Sequence, residues 1–227
     1  NLTAACTQML AGQLMTVWFY VSNLNNFKKE FRQAFVLLSI GILPLGVLFG
    51  QIGIVQILGI GDAEPCQYAG VSYFATGAFV IMYLGLRKYA LLLKIKTKVS
   101  SLLGIFSLST LVTIALIIAP HASKPKTELF FDISLAAIMV AFIFTCANAV
   151  LIRKIMRLVT SAYRKPLLIL YMYMYASIFG TAVAAGALYA LGGLSVGNLA
   201  LIILLVAMPQ QLLLLYSGYQ FERYIGR

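Results

Sequence analysis

The feature that most constrains this chain is a recurring run of about 20 mostly apolar residues, the length a helix needs to cross a hydrocarbon core ~30 Å thick. Seven such stretches can be marked, over 4–24, 34–60, 68–86, 100–120, 129–152, 167–191 and 198–219. None shows the ~10-residue alternation of a membrane barrel. Composition agrees. Apolar residues make up 62% and charged residues 10%, against ~45–50% and ~25% in ordinary soluble domains. So few charges cannot cover the surface of a soluble protein of 227 residues. The expected fold class is an all-α integral membrane protein: one domain over 1–227, built as a seven-transmembrane-helix bundle. Pro44 implies a kink or re-entrant turn in the long second span, and Pro209 falls mid-span in the seventh.

Lysine and arginine counts in the loops set the orientation. The first loop holds Lys28, Lys29 and Arg32, and the third holds Arg87, Lys88, Lys94, Lys96 and Lys98. The fifth holds Arg153, Lys154, Arg157, Arg164 and Lys165, and the tail Arg223 and Arg227. Those segments carry 15 of the 17 basic residues; the other two, Lys124 and Lys126, lie in the fourth loop. The alternation requires seven spans, with the N-terminus outside and the C-terminus cytoplasmic. A net charge of +11 on a soluble chain would point to nucleic acid. Here the charge is spread over short loops on one side, so anionic inner-leaflet lipid is the expected counter-charge and no nucleic acid partner is implied. An acidic cytoplasmic partner is the sharper alternative. The contacts of that partner, or of the anionic lipid, would be Arg87, Lys88, Arg153, Lys154 and Arg157, with Arg153 and Arg157 one helical turn apart.

The chain begins at Asn1 rather than Met, which reads as a processed or incomplete N-terminus. Its first span lacks the form of a signal peptide. The C-terminus stops a few residues past the last span, where an output domain is one expected continuation.

Catalytic chemistry is poorly provided for. One histidine, His121, and three scattered cysteines cannot assemble a haem or zinc site, so no metal and no cofactor are expected. No paired Asp motif for Mg²⁺ occurs, no G-x-S-x-G and no Walker-type loop. The expectation is a protein that is not an enzyme, with no catalytic residues. Seven helices with an outside N-terminus is also the layout of microbial rhodopsins. Their retinal-bearing lysine has no counterpart in LALIILLVAMPQQLLLLYSGYQF, where Gln210 and Gln211 fall near its place. Class A receptor signatures are missing as well. Pro209-Gln210 matches the dipeptide of small-solute transporters with Pro-Gln motifs, but a single copy in the last span does not make that family.

Neutral polar residues gather in the outer leaflet. Gln8 and Gln13 lie in the first span, Gln51 and Gln56 in the second, Ser72, Tyr73 and Thr76 in the third, and Tyr189 in the sixth. With Asp132, the one acid inside a span, they can line an outward-opening ligand pocket; interhelical hydrogen bonding is the alternative. Cys6 and Cys66 both fall on the outer side, where a disulfide is permitted. Cys146 reads as a small buried hydrophobe. Gly46 with Gly50, and Gly180 with Ala184, have the spacing that lets helices approach closely. In the run from Tyr171 to Tyr175, the two end tyrosines share a helix face while Tyr173 points elsewhere. The leading functional reading is a receptor-like or sensory module. A small-solute transporter or channel, and a structural subunit held by neighbours in a membrane complex, are the alternatives.

Overall fold

The computed structural model describes the backbone of residues 2–22, 24–26, 29, 31–43, 65–95, 126–191 and 206–225, and side chains over most of these except 65–75, 126–135 and 181–191. The expected fourth span, Pro44, the Gly46–Gly50 pair and His121 lie outside the described residues. Among the described residues the fold is all-helical, with no strand. The helices are α1 (Leu2–Ser22), α2 (Phe31–Leu43), α3 (Pro65–Leu92), α4 (Lys126–Met156), α5 (Ser161–Leu191) and α6 (Met208–Ile225), and a 3₁₀ turn (Leu24–Asn26) follows α1. By length and composition, Met139–Met156 is the stretch among the described residues that can cross a membrane, and Phe31–Leu43 is a shorter apolar helix.

Several helices outrun the apolar stretches that announce them. α3 continues through Arg87 and Lys88 to Leu92, and α5 begins at Ser161 rather than after Pro166. Hydropathy marks where a helix is apolar, whereas backbone hydrogen bonding continues through charged residues that are good helix formers. Pro209, expected mid-span, is the second residue of α6 and directly follows the π-helical Val206 and Ala207.

Pairwise contacts fix the relative directions. α1 and α6 run parallel, since Thr16 meets Gln211 and Tyr20 meets Ser217 and Phe221. α5 and α6 run antiparallel, with Ala176 against Gln210 and Pro166 against Ser217. α4 and α5 form an antiparallel hairpin about a tight turn, in which the Leu158 and Val159 N–H groups return to the Ile155 carbonyl. α3 and α4 are parallel neighbours, joined by Thr76 Oγ1 donating to Ala137 O at 2.7 Å and by Tyr83 against Phe144. α2 runs antiparallel to α3 because two glycines remove the Cβ atoms that would keep them apart. A Cβ on Gly85 would meet the Ala34 carbonyl at 2.9 Å, and one on Gly41 would meet the Met82 backbone N at 2.9 Å.

These directions bring the basic ends together: the C-terminal ends of α3, α4 and α6 and the N-terminal ends of α2 and α5. An aromatic cluster seals the interior near that end. Phe35 packs on Tyr89 and Phe221, with ring centroids 5.7 and 5.4 Å away, and Tyr20 packs on Phe221. The core is apolar, yet it also holds several polar side chains, and many large apolar residues lie on the surface. Gln13, Thr16, Asn148, Gln211, Ser217 and Gln220 are buried, whereas Trp18, Phe179 and Leu212 are each more than three-fifths exposed. Buried hydroxyls bond one turn back on their own helix: Thr16 to Gly12, Ser39 to Phe35, Thr145 to Ala141 and Ser177 to Tyr173. That arrangement satisfies a hydroxyl where no water is at hand.

Candidate functional site

Of the residues expected to line an outer pocket, Gln8 is exposed and Gln13 is buried. Five positions along a helix rotate a side chain by about 140°, so these two cannot share a face. Thr76 is committed to the α4 backbone. Gln51 and Gln56 lie outside the described residues; Ser72, Tyr73, Asp132 and Tyr189 stand on helices whose side chains there are likewise outside. Cys6 is a buried free thiol, Cys146 a half-buried one, and the Cys66 side chain lies outside the described set. Among the described residues, no three of His, Cys, Asp and Glu come together as metal ligands would.

What the structure does bring together is a polar seam between α1 and α6. Gln211 Nε2 reaches Thr16 Oγ1 at 3.5 Å, and Gly12 leaves the space the Gln211 side chain occupies. Further along, Tyr20 and Ser217 share a hydrogen bond of 3.1 Å, and Ser217 Oγ donates to the Pro166 carbonyl at 3.1 Å. The seam is under-satisfied. Within it the amide oxygen of Gln211 is buried without a hydrogen-bond partner, and so, elsewhere on α1 and α6, are those of Gln13 and Gln220. Each is an acceptor in a low-dielectric interior, where it costs on the order of 1–3 kcal/mol if left unmade. Gln210 contributes differently: it spans to α5, donating to Ala176 O at 3.0 Å over the small surface of Gly180.

At the far end of the seam, Pro166 adjoins the α4–α5 corner. There Arg153 and Arg157 of the α4 end face Arg164 and Lys165 of the first turns of α5 across an open cleft of about 540 Å³. The expected contact set includes Arg153 and Arg157 and leaves Arg164 and Lys165 as loop charges, since the apolar stretch starts only at 167. The usable signal was Thr160-Ser161, a helix-start pair whose Thr160 carbonyl accepts from the Tyr163 and Arg164 N–H groups. The other expected basic contacts lie elsewhere. Arg87 is exposed, Lys88 is half-buried and donates to Gln33, and Lys154 is half-buried and does not line the cleft.

Compared with protein-family models, curated proteins and solved structures, the chain matches none.

Proposed function

We propose that this chain is a multi-pass, non-enzymatic membrane module of receptor type, oriented with its basic end in the cytoplasm. Three features support the membrane part: the large apolar side chains on the surface, the hydroxyls satisfied on their own helices, and the gathering of basic helix ends on one side. The parallel pairing of α3 with α4 adds a topological reason. The chain has to return from one end of the bundle to the other between these helices, and the expected fourth span falls in that connection.

The receptor part rests on one observation. The α1–α6 seam starts at Gln211, whose buried amide oxygen is unpaired, and ends, through Tyr20, Ser217 and Pro166, beside the cations of the α4–α5 corner. Unpaired acceptors in the interior make that seam receptive to a donor ligand or to a shift of α1 along α6. The Ser217 bond to Pro166 passes such a shift to the start of α5. The orphan acceptors also fit a solute path, so transport is the second reading; it requires substrate-dependent flux in liposomes.

The test uses spin labels at Ser161 and Arg223 in a cysteine-free background, reconstituted in liposomes. A Gln211→Leu change, which removes the polar end of the seam, should shift or narrow the distance distribution between the labels at the basic end. An unchanged distribution would remove the receptor reading.

A further inference from the structure

The α4–α5 corner combines two surfaces. One is cationic. Arg153, Arg157, Arg164 and Lys165 converge on a cleft of about 540 Å³, and Ser161 adds a hydroxyl. That volume lies within the ~300–1,000 Å³ of small-molecule sites. Glu222 is the one carboxylate whose side chain is described, and it does not line the cleft. Four like charges thus face a shared space with no anion from the described chain to offset them. The helix dipoles do not supply the attraction, because the C-terminus of α4 and the N-terminus of α5 meet here and oppose each other. The side-chain cations carry it.

The second surface is apolar. Met156 and Leu168 line the cleft itself. From Leu168, an exposed strip runs along one face of α5 through Met172, Tyr175 and Phe179, spaced four, three and four residues apart. On α4, the exposed Met139, Phe142 and Val150 lie on the face that ends in Arg153 and Arg157. A soluble anion would use the cations and leave both strips idle. A molecule with a phosphate at one end and a hydrocarbon chain at the other uses both.

We infer that the α4–α5 corner is a binding site for an anionic phospholipid, with the headgroup phosphate held by Arg153, Arg157, Arg164 and Lys165 and an acyl chain lying along Leu168, Met172 and Phe179. Arg153 at the end of α4, Arg157 in the turn after it and Arg164 on α5 supply paired N–H donors suited to phosphate oxygens, and Lys165 adds a point charge. This inference rests on the membrane reading above and goes further, assigning a ligand class to the corner where the polar seam ends.

Native mass spectrometry of the purified chain in a neutral detergent tests it. The probes are dioctanoyl phosphatidic acid, dioctanoyl phosphatidylcholine and inorganic phosphate. Wild type should retain the phosphatidic acid about tenfold better than the phosphatidylcholine, the order of one charge-assisted hydrogen bond. The double variant Arg157→Gln/Arg164→Gln should lose that preference, while Lys94→Gln, a charge at the same end outside the cleft, should keep it. Leu168→Gln should weaken retention of the lipid without changing the direct binding of inorganic phosphate. Equal losses from Lys94→Gln would overturn the site as a mere effect of net charge. Displacement by inorganic phosphate at concentrations matching the lipid, with Leu168→Gln silent, would overturn the lipid and leave a free-phosphate site. Impermeant labelling of an Arg157→Cys variant in sealed vesicles reads the membrane arrangement separately, so failure of one claim is distinguishable from failure of the other.

Discussion

Ser217 Oγ donates to the carbonyl oxygen of Pro166 across 3.1 Å, and through this bond α6 holds the beginning of α5. The same hydroxyl accepts from Tyr20, whose ring is 2% exposed, so three helices meet at one oxygen. The geometry leaves Tyr20 without a second partner if Ser217 is removed.

Ser217→Ala should therefore destabilise the bundle by on the order of 1 kcal/mol, because it strands a buried phenol. Tyr20→Phe should cost less. The double variant should cost less than the sum of the singles, since removing both partners removes the stranded group. Thermal or denaturant unfolding of the four proteins in one detergent measures the cycle; simple additivity would dissolve the proposed triad.

Glycines at the α2–α3 and α3 surfaces should behave oppositely. Gly85→Ala drives a Cβ against the Ala34 carbonyl and the Leu38 N, which are backbone atoms and cannot swing away. A loss of about 1–3 kcal/mol is expected. Gly77, eight positions earlier, has nothing within 4 Å of its would-be Cβ. Gly77→Ala should be neutral or stabilising by up to ~1 kcal/mol, through helix propensity. The same melting assay compares them directly.

How much of this was legible in the sequence depends on what kind of information each feature needs. The opposite facing of Tyr173 and the Tyr171–Tyr175 pair follows from helical geometry alone. The two outer rings stack edge-on with hydroxyls 3.0 Å apart, while Tyr173 is buried. The helical class also follows, from the length of the apolar runs. The inward face of each helix does not, because apolar residues occur on every side of helices such as α1 and α5 and periodicity has little contrast to work on. Trp18, Phe19 and Tyr20 are consecutive aromatics near the inner end of the 4–24 apolar run, a pattern that marks all three as interfacial anchors. In the structure Trp18 is 69% exposed and Tyr20 is in the core. The seam through Gln211 and Ser217 was invisible for the same reason. The cleft was half legible, since its α5 side sits before the apolar stretch expected over 167–191.

The end of α3 offers an independent check on backbone geometry. Lys94 has φ of 56°, and the Ile95 N–H returns to the Ala90 carbonyl while the Lys94 N–H returns to Leu91. This is a Schellman cap with lysine where glycine is preferred. Lys94→Gly should raise stability by about 1 kcal/mol, the cost of a Cβ in the left-handed region. Lys94→Ala should not, because alanine keeps the Cβ. Equal effects of the two changes would mean the charge, not the backbone, decides.

The account turns on the bundle crossing a membrane with its basic end inside. Single-cysteine variants Asn1→Cys, Lys94→Cys and Arg157→Cys, in a background without native cysteines, answer this with a membrane-impermeant maleimide applied to intact cells. The account predicts labelling at position 1 before permeabilisation and at 94 and 157 only after it. Labelling of 94 or 157 in intact cells, or recovery of the chain in the soluble fraction, would contradict it.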